Sequence, residues 1–248
     1  MNLVFEDASL FRKCVDGISV LVDEAEFIID EKGLSLKATD PSQISLVDFE
    51  LPKKAFKKFD VKKSSRIGLD LNYLGQVMSR AKSGDSVEFL LSDDASKLVL
   101  VFSGKSKRSF TIPLLDLTSG DLPLPKIDFD AEIKIKADAL NDSFKDASLI
   151  STHIVLSVEN DSFFVRANSS KGNLENIYTQ KDHSVVSLKA SNEVRAMFPL
   201  DYLANIIKAA SSDTEILVSL KTNAPVQINY SLGDGKLQYF LAPRIESD

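Results

Sequence analysis

Two stretches 129 residues apart share one spacing of apolar positions: residues 69–82, LDLNYLGQVMSRAK, and residues 198–211, FPLDYLANIIKAAS. With Tyr73 laid on Tyr202, Leu74 meets Leu203, Val77 meets Ile206, Met78 meets Ile207 and Ala81 meets Ala210. Apolar residues recurring every three to four positions form one stripe of an α-helix, so each stretch predicts a helix. Asn72 and Asp201 stand just before the stripe, where a short polar oxygen can cap free backbone donors. Residues 9–22, SLFRKCVDGISVLV, put Leu10, Phe11, Cys14, Val15, Ile18, Leu21 and Val22 on one helical face, and residues 139–148, ALNDSFKDAS, are the weaker counterpart. After each first helix come two short β-rich runs, EFIID and LSLKA, then HIVLSV and SFFVRA, joined by the turn sequences EKG and END. Further strands follow each second helix: SVEFLL and KLVLVFS in the first half, EILVSL, PVQINYSL and LQYFLA in the second. From its first helix on, each half reads helix–strands–helix–strands, with too many strands for a simple βαβ layout. The fold class predicted is α+β, with two topologically similar domains.

Between the halves lies LLDLTSGDLPLPKIDFD, residues 114–130. Its turn formers and prolines make a poor helix and a poor central strand, yet Leu122, Leu124, Ile127 and Phe129 keep it apolar. The division expected is a domain over 1–115, a connector over 116–130 and a domain over 131–248. The chain also finishes on an apolar block, YFLAPRI at 239–245. Ends are usually polar, so this one is expected to be buried or docked upon.

Composition narrows the function classes. Of the 248 residues 44% are hydrophobic and 27% charged, as in a folded chain. Apolar runs are too short to cross a bilayer, so no membrane role is expected. The opening has no basic start, and the single Cys14 excludes an internal disulfide; an intracellular location follows, in cytoplasm, nucleoid or nucleus. The net charge of −6 comes entirely from residues 116–248, because residues 1–115 hold 17 basic and 17 acidic side chains.

Candidate chemistry is sparse. His153 and His183 lie in different stretches with no neighbouring cysteine, so no zinc spacing exists, and no cofactor or metal is expected. SGKS at 103–106 lacks the earlier glycine of a phosphate loop, and GDGK at 233–236 reads as a tight turn. Asp93, Asp94 and Asp213 read as loop and cap residues. Three Asn-x-Ser triplets read as chance, and the lysine cluster at 53–63 as a solvated turn anchored by Phe56 and Phe59. No nucleophile assembles with a base, so no catalytic residue is named and an enzyme is not expected. The polar sides of the four helices carry six bases against five acids when Asp138 and Asp201, both read as caps, are counted.

The internal repetition, the apolar connector, LKATDPSQISLVDFEL at 36–51, LDLNYL, LLDL, APVQINYSL and the ending YFLAPRIE together resemble the sliding clamps of the proliferating cell nuclear antigen family. That resemblance implies a closed ring of three two-domain subunits, with helices lining the hole, sheets outside, and no catalytic activity. Duplex DNA passes through without sequence reading. DNA polymerase, clamp loader, nuclease and ligase attach by short peptide motifs. It implies DNA-facing Arg12, Lys13, Arg80, Lys82, Lys145 and Lys208, although Ser19, Gln76 and Ser79 stand where many members carry lysine. By the same likeness a peptide pocket would be walled by Ile44, Leu46, Leu122, Leu124, Pro125, Phe129, Leu241, Ala242 and Pro243, with Gln43 at the rim and Pro225 in the floor. Subunits would meet through the edges at 107–114 and 174–180, with Phe110, Ile112, Ile177 and Tyr178 in contact. The alternative that keeps the fold is a scaffold that does not encircle DNA, or one subunit of a mixed ring.

Overall fold

The structure is a computed structural model that describes residues 1–92, 94–117, 120 and 122–245. The chain divides into two compact units: Met1–Pro41, Val47–Leu122 and Leu232–Leu237 form unit 1, and Ser42–Leu46, Pro123–Ser231 and Gln238–Asp248 form unit 2.

Unit 1 opens with a strand, β1 (Asn2–Phe5), whose Leu3 and Phe5 are buried. The helix-first reading leaves this strand out, because four residues are too short to show a period. Helix α1 (Ala8–Ser19) follows, capped by Asp7, whose carboxylate accepts from the Ser9 and Leu10 amides at 2.9 and 3.1 Å. Then come β2 (Glu24–Ile29), β3 (Gly33–Thr39), β4 (Ser45–Pro52), β5 (Lys58–Asp60), β6 (Ser65–Asp70), α2 (Leu71–Met78), β7 (Ser86–Leu91), β8 (Lys97–Ser103) and β9 (Lys107–Pro113). One sheet runs β5-β1-β7-β8-β9, and β4-β3-β2-β6 pair in that order.

Unit 2 repeats the plan. Its first strand, β10 (Ala131–Lys136), buries Ala131, Ile133 and Ile135 in strict alternation with Glu132, Lys134 and Lys136. It leads into α3 (Ala137–Ser148), then β11 (His153–Glu159), β12 (Ser162–Ser169), β13 (Gly172–Thr179), β14 (Val185–Ala190), β15 (Val194–Pro199), α4 (Leu200–Ile206), β16 (Glu215–Leu220), β17 (Val226–Leu232) and β18 (Gly235–Leu241). Its sheets run β14-β10-β16-β17-β18 and β13-β12-β11-β15. Counted from the start of each unit, the two units follow one strand order. The turn between β11 and β12 has positive φ at both Asn160 (48°) and Asp161 (57°), the hairpin turn whose twist matches that of its strands.

Local chemistry corrects three expectations. The cap of α2 is Asp70, which accepts from the Tyr73 amide at 2.8 Å, whereas the Asn72 side chain donates to Asp23. Asp138 and Asp201 lie inside the first turns of α3 and α4, behind Lys136 and Pro199 at the caps. Both second helices also stop early. The amides of Arg80, Ala81, Lys208 and Ala210 each reach back three residues, a tight closure that ends α2 and α4 before the apolar stripe is exhausted.

Candidate DNA-facing helices and docking surface

The polar sides of the helices form the first candidate site. In α1, Phe11, Cys14, Val15 and Ile18 fill the core, so Arg12 and Lys13 face out. Arg80 and Lys82 follow α2 in a turn held by its own groups. The Arg80 carbonyl accepts from Arg108 at 2.7 Å, and the Lys82 amide donates to Asp85 at 2.8 Å. Lys145 projects from α3 and Lys208 from the turn after α4, so all six predicted cations are exposed. Two of them share their charge: Arg12 lies 3.6 Å from Asp16, and Lys145 lies 3.1 Å from Asp142.

Asp138 and Asp201 weigh on unit 2. Because their carboxylates are exposed in first helical turns, α3 and α4 present Asp138, Asp142, Asp146 and Asp201 against Lys145 and Lys208. The near-neutral balance read from sequence therefore fails for unit 2, whose helical side is acidic. The cations gather on unit 1.

The second site gathers around residues 42–46 and the C-terminal stretch, both in unit 2. Gln43 is exposed in the left-handed region (φ 57°), which is costly for a residue other than glycine. It turns the chain so that the Ile44 carbonyl accepts from the Ala242 amide at 2.8 Å. Two expected pocket walls are corrected: Leu241 has no exposed surface and Leu46 only 8%, so neither side chain is open to a partner. The apolar ending is mostly core. Tyr239 is buried and shares a hydrogen-bonded contact with Tyr230 at 3.2 Å, and the Tyr230 hydroxyl donates to the Ile206 carbonyl at 2.7 Å. What remains outside is Ala242 and Pro243, half-buried, then exposed Arg244 and Ile245. Ile44, Leu124, Phe129 and Pro225 are half-buried and Pro125 exposed.

The connector has no helix or strand among its described residues, and both ends are tied. The Leu115 amide donates to Gly68 at 2.9 Å in unit 1, and the Asp130 amide donates to Leu220 at 3.0 Å in unit 2. Leu122 belongs to unit 1, where it lines a polar cavity of about 390 Å³ together with Glu26, Asp48, Glu50 and Lys236.

The expected subunit edges are β9 and β13, each last in its sheet's strand order. Phe110 is half-buried against Phe102 at a centroid distance of 5.8 Å, and Ile177 is 51% exposed. Ile112 and Tyr178 are corrected. Ile112 is fully buried in unit 1, opposite Leu98. Tyr178 turns back onto α3, meeting Ser143 Oγ at 2.6 Å and donating to the Ala139 carbonyl at 3.0 Å. That burial pushes its hydroxyl pKa up.

The sequence model described as proliferating cell nuclear antigen, N-terminal domain, matches residues 1–132, and that for the C-terminal domain matches residues 123–245. The chain belongs to the proliferating cell nuclear antigen family. It is 33% identical over 248 residues to the DNA polymerase sliding clamp of Thermofilum pendens, covering 99% of this chain and 100% of the relative. Among solved structures, the antigen of Thermococcus kodakaraensis matches with a TM-score of 0.94 at 24% identity, covering 98% of this chain and 99% of that one, a likeness of fold. The antigen of A. fulgidus, solved with the C-terminal region of FEN-1 bound, matches with a TM-score of 0.90 at 26% identity, covering 100% and 99%.

Membership of the clamp family leaves two groups that the family motifs do not name. One is Arg166, which bonds Glu159 and Glu175, each at 2.6 Å, and holds the Glu159 carboxyl below its usual range. The other is His153, whose Nε2 lies 3.0 Å from Arg244. Alternation along β11 and β12 signals that both face outward, but sequence alone gives no sign that Arg244 returns to meet them. Among the described residues, no three His, Cys, Asp or Glu side chains gather as a metal ion would need, and no helix is long and apolar enough to cross a membrane.

Proposed function

We propose that this chain is a DNA sliding clamp, a processivity factor that encircles duplex DNA and tethers DNA polymerase and other replication and repair proteins. The observation that carries the reading is the doubled unit. Two copies of one strand order each offer two helices whose outer sides are polar, within a chain that matches the family from end to end. The working division is 1–115, 116–130 and 131–248, with the connector crossing between two similar domains.

Three copies closing through β9 and β13 would make the ring. A head-to-tail contact closes when its rotation is right, and pairing the two edges removes their hazard of aggregation. Ile177 and Phe110 supply the apolar contact, while Ile112 and Tyr178 stiffen their own units behind it. Non-specific phosphate attraction gives a Kd of only about 10⁻⁴–10⁻⁶ M, so topology rather than grip retains the ring. The few cations of unit 1, Arg12, Lys13, Arg80 and Lys82, suffice for a loose contact, with Lys145 and Lys208 adding less against their acidic neighbours.

Partner peptides of polymerase, clamp loader, nuclease and ligase dock over Ile44, Leu124, Pro125, Phe129, Pro225, Ala242 and Pro243, with Gln43 at the rim. Each apolar anchor buried there contributes roughly 1.5–3 kcal/mol before ordering costs, enough for reversible binding. The chain needs no catalytic group for this work and acts inside the cell, where the DNA is.

Sedimentation equilibrium tests the assembly. Three times the 27.3 kDa chain mass is expected over a range of concentrations. A chain that stays monomeric at every concentration would instead support one subunit of a mixed ring, or a scaffold.

A further inference from the structure

The outward face of β13-β12-β11-β15 carries a cleft of about 490 Å³ lined by Arg166, Arg195, Arg244 and His153, with no carboxylate in the lining. In a chain of net charge −6 such a gathering needs a reason. Strand alternation creates it. Phe163, Val165 and Ala167 of β12 turn inward, so Arg166 turns out; Val194, Ala196 and Phe198 of β15 turn inward, so Arg195 and Met197 turn out. Arg244 is added from the C-terminal stretch, tied by its amide to the Met197 carbonyl at 2.8 Å.

The cations differ in how they are held. Arg166 is clamped by Glu159 and Glu175 and lies 4.0 Å over the Phe164 ring, so it forms a rigid wall. Arg244 is met by the His153 Nε2 at 3.0 Å. Among the described residues no carboxylate forms an ion pair with Arg244.

We propose that this cleft binds a carboxylate side chain from an acidic peptide segment of a partner protein. Arginine forks match the planar geometry of a carboxylate. Val155 and Met197, also in the lining, offer an apolar wall to the methylenes of a glutamate. The three guanidiniums converge on one cleft instead of following a track, which suits one anion better than the successive phosphates of a duplex. The site is complete within unit 2.

The test is fluorescence anisotropy of labelled hexaglutamate with the full-length chain at low salt. Binding should weaken at least about tenfold in the double variant Arg195→Glu/Arg244→Glu, as expected when a charge-assisted pair is reversed. It should be unchanged in Lys62→Glu/Lys63→Glu, in the exposed lysine turn between β5 and β6. In the unmutated chain, hexaglutamate should also raise the His153 pKa, read by NMR, against the lowering that burial and Arg244 impose and in the same direction as nearby Asp201. Failure of hexaglutamate to bind, equal binding by the cleft variant, or an unmoved His153 titration would each overturn the proposal. So would duplex DNA displacing the peptide more strongly than unlabelled hexaglutamate does, since the cleft would then serve phosphates.

Discussion

Leu241 separates the two roles open to the C-terminal stretch, because it sits where the core ends and the proposed docking surface begins. Its side chain has no exposed surface, and the next residue, Ala242, already bonds outward to Ile44. Leu241→Ala removes three buried carbon atoms and leaves a cavity, which in a packed core costs about 2–5 kcal/mol. For a chain of this length each kcal/mol lowers Tm by about 2–4 °C, so a fall on the order of 5–20 °C is expected. Calorimetric melting measures it, beside titration with a peptide carrying one aliphatic and two aromatic anchors. The companion variant Pro243→Asp touches a half-buried residue outside the core. It should melt within about 0.5 kcal/mol of the parent, as surface substitutions do, while binding the peptide about tenfold more weakly. If Leu241→Ala melted like the parent yet lost the peptide, Leu241 would belong to the docking surface and the division drawn here would be wrong.

Three further outcomes follow from the same structure. The Arg166 hydrogen bond depresses the Glu159 pKa, so its contribution is present above the ordinary glutamate range, about 4.3, and is lost as pH falls through the lower folded value. Arg166→Met should therefore lower the urea midpoint at pH 7 and converge on the parent in acid, and a gap that stays constant down to pH 3 would contradict this. Gly68→Ala would bring a Cβ to 2.4 Å from the Leu115 carbonyl, forcing the start of the connector away at a cost of about 1–3 kcal/mol. Faster amide exchange at Leu115 is the readout, and unchanged exchange and stability would refute the contact. Cys14 is buried and its thiol pKa is pushed up to about 12, so iodoacetamide at pH 8 should label it only after unfolding; rapid labelling of the folded chain would show α1 opening locally.

Periodicity made the repeat legible, because a helix stripe such as Leu74, Val77 and Met78 and its copy Leu203, Ile206 and Ile207 survive divergence as volume and spacing. Caps were less legible. Asp70 and Asn72 are equally good cap chemistry, and only the backbone path decides between them. The error over Asp138 and Asp201 has the same origin. Exposure along β9 was unreadable for a different reason. Phe110 and Ile112 share one face of the strand, and the depth to which that face sinks depends on distant residues such as Leu98 and Phe102. Leu241 looked like a docking residue because a short polar tail follows it, yet strand pairing extends almost to the end of the chain. The arginine cleft needed three separate strands and the C-terminal stretch, so no local pattern announced it.

The central claim is that linkage around the duplex, rather than chemical affinity, holds this protein on DNA. Retention measures it directly: the chain is loaded onto a nicked circular duplex, separated from free protein by gel filtration in moderate salt, and the duplex is then cut once. The account predicts that protein stays on the circle and is lost within the time of cutting from the linear form. Equal retention on both, or none on the circle, would contradict it.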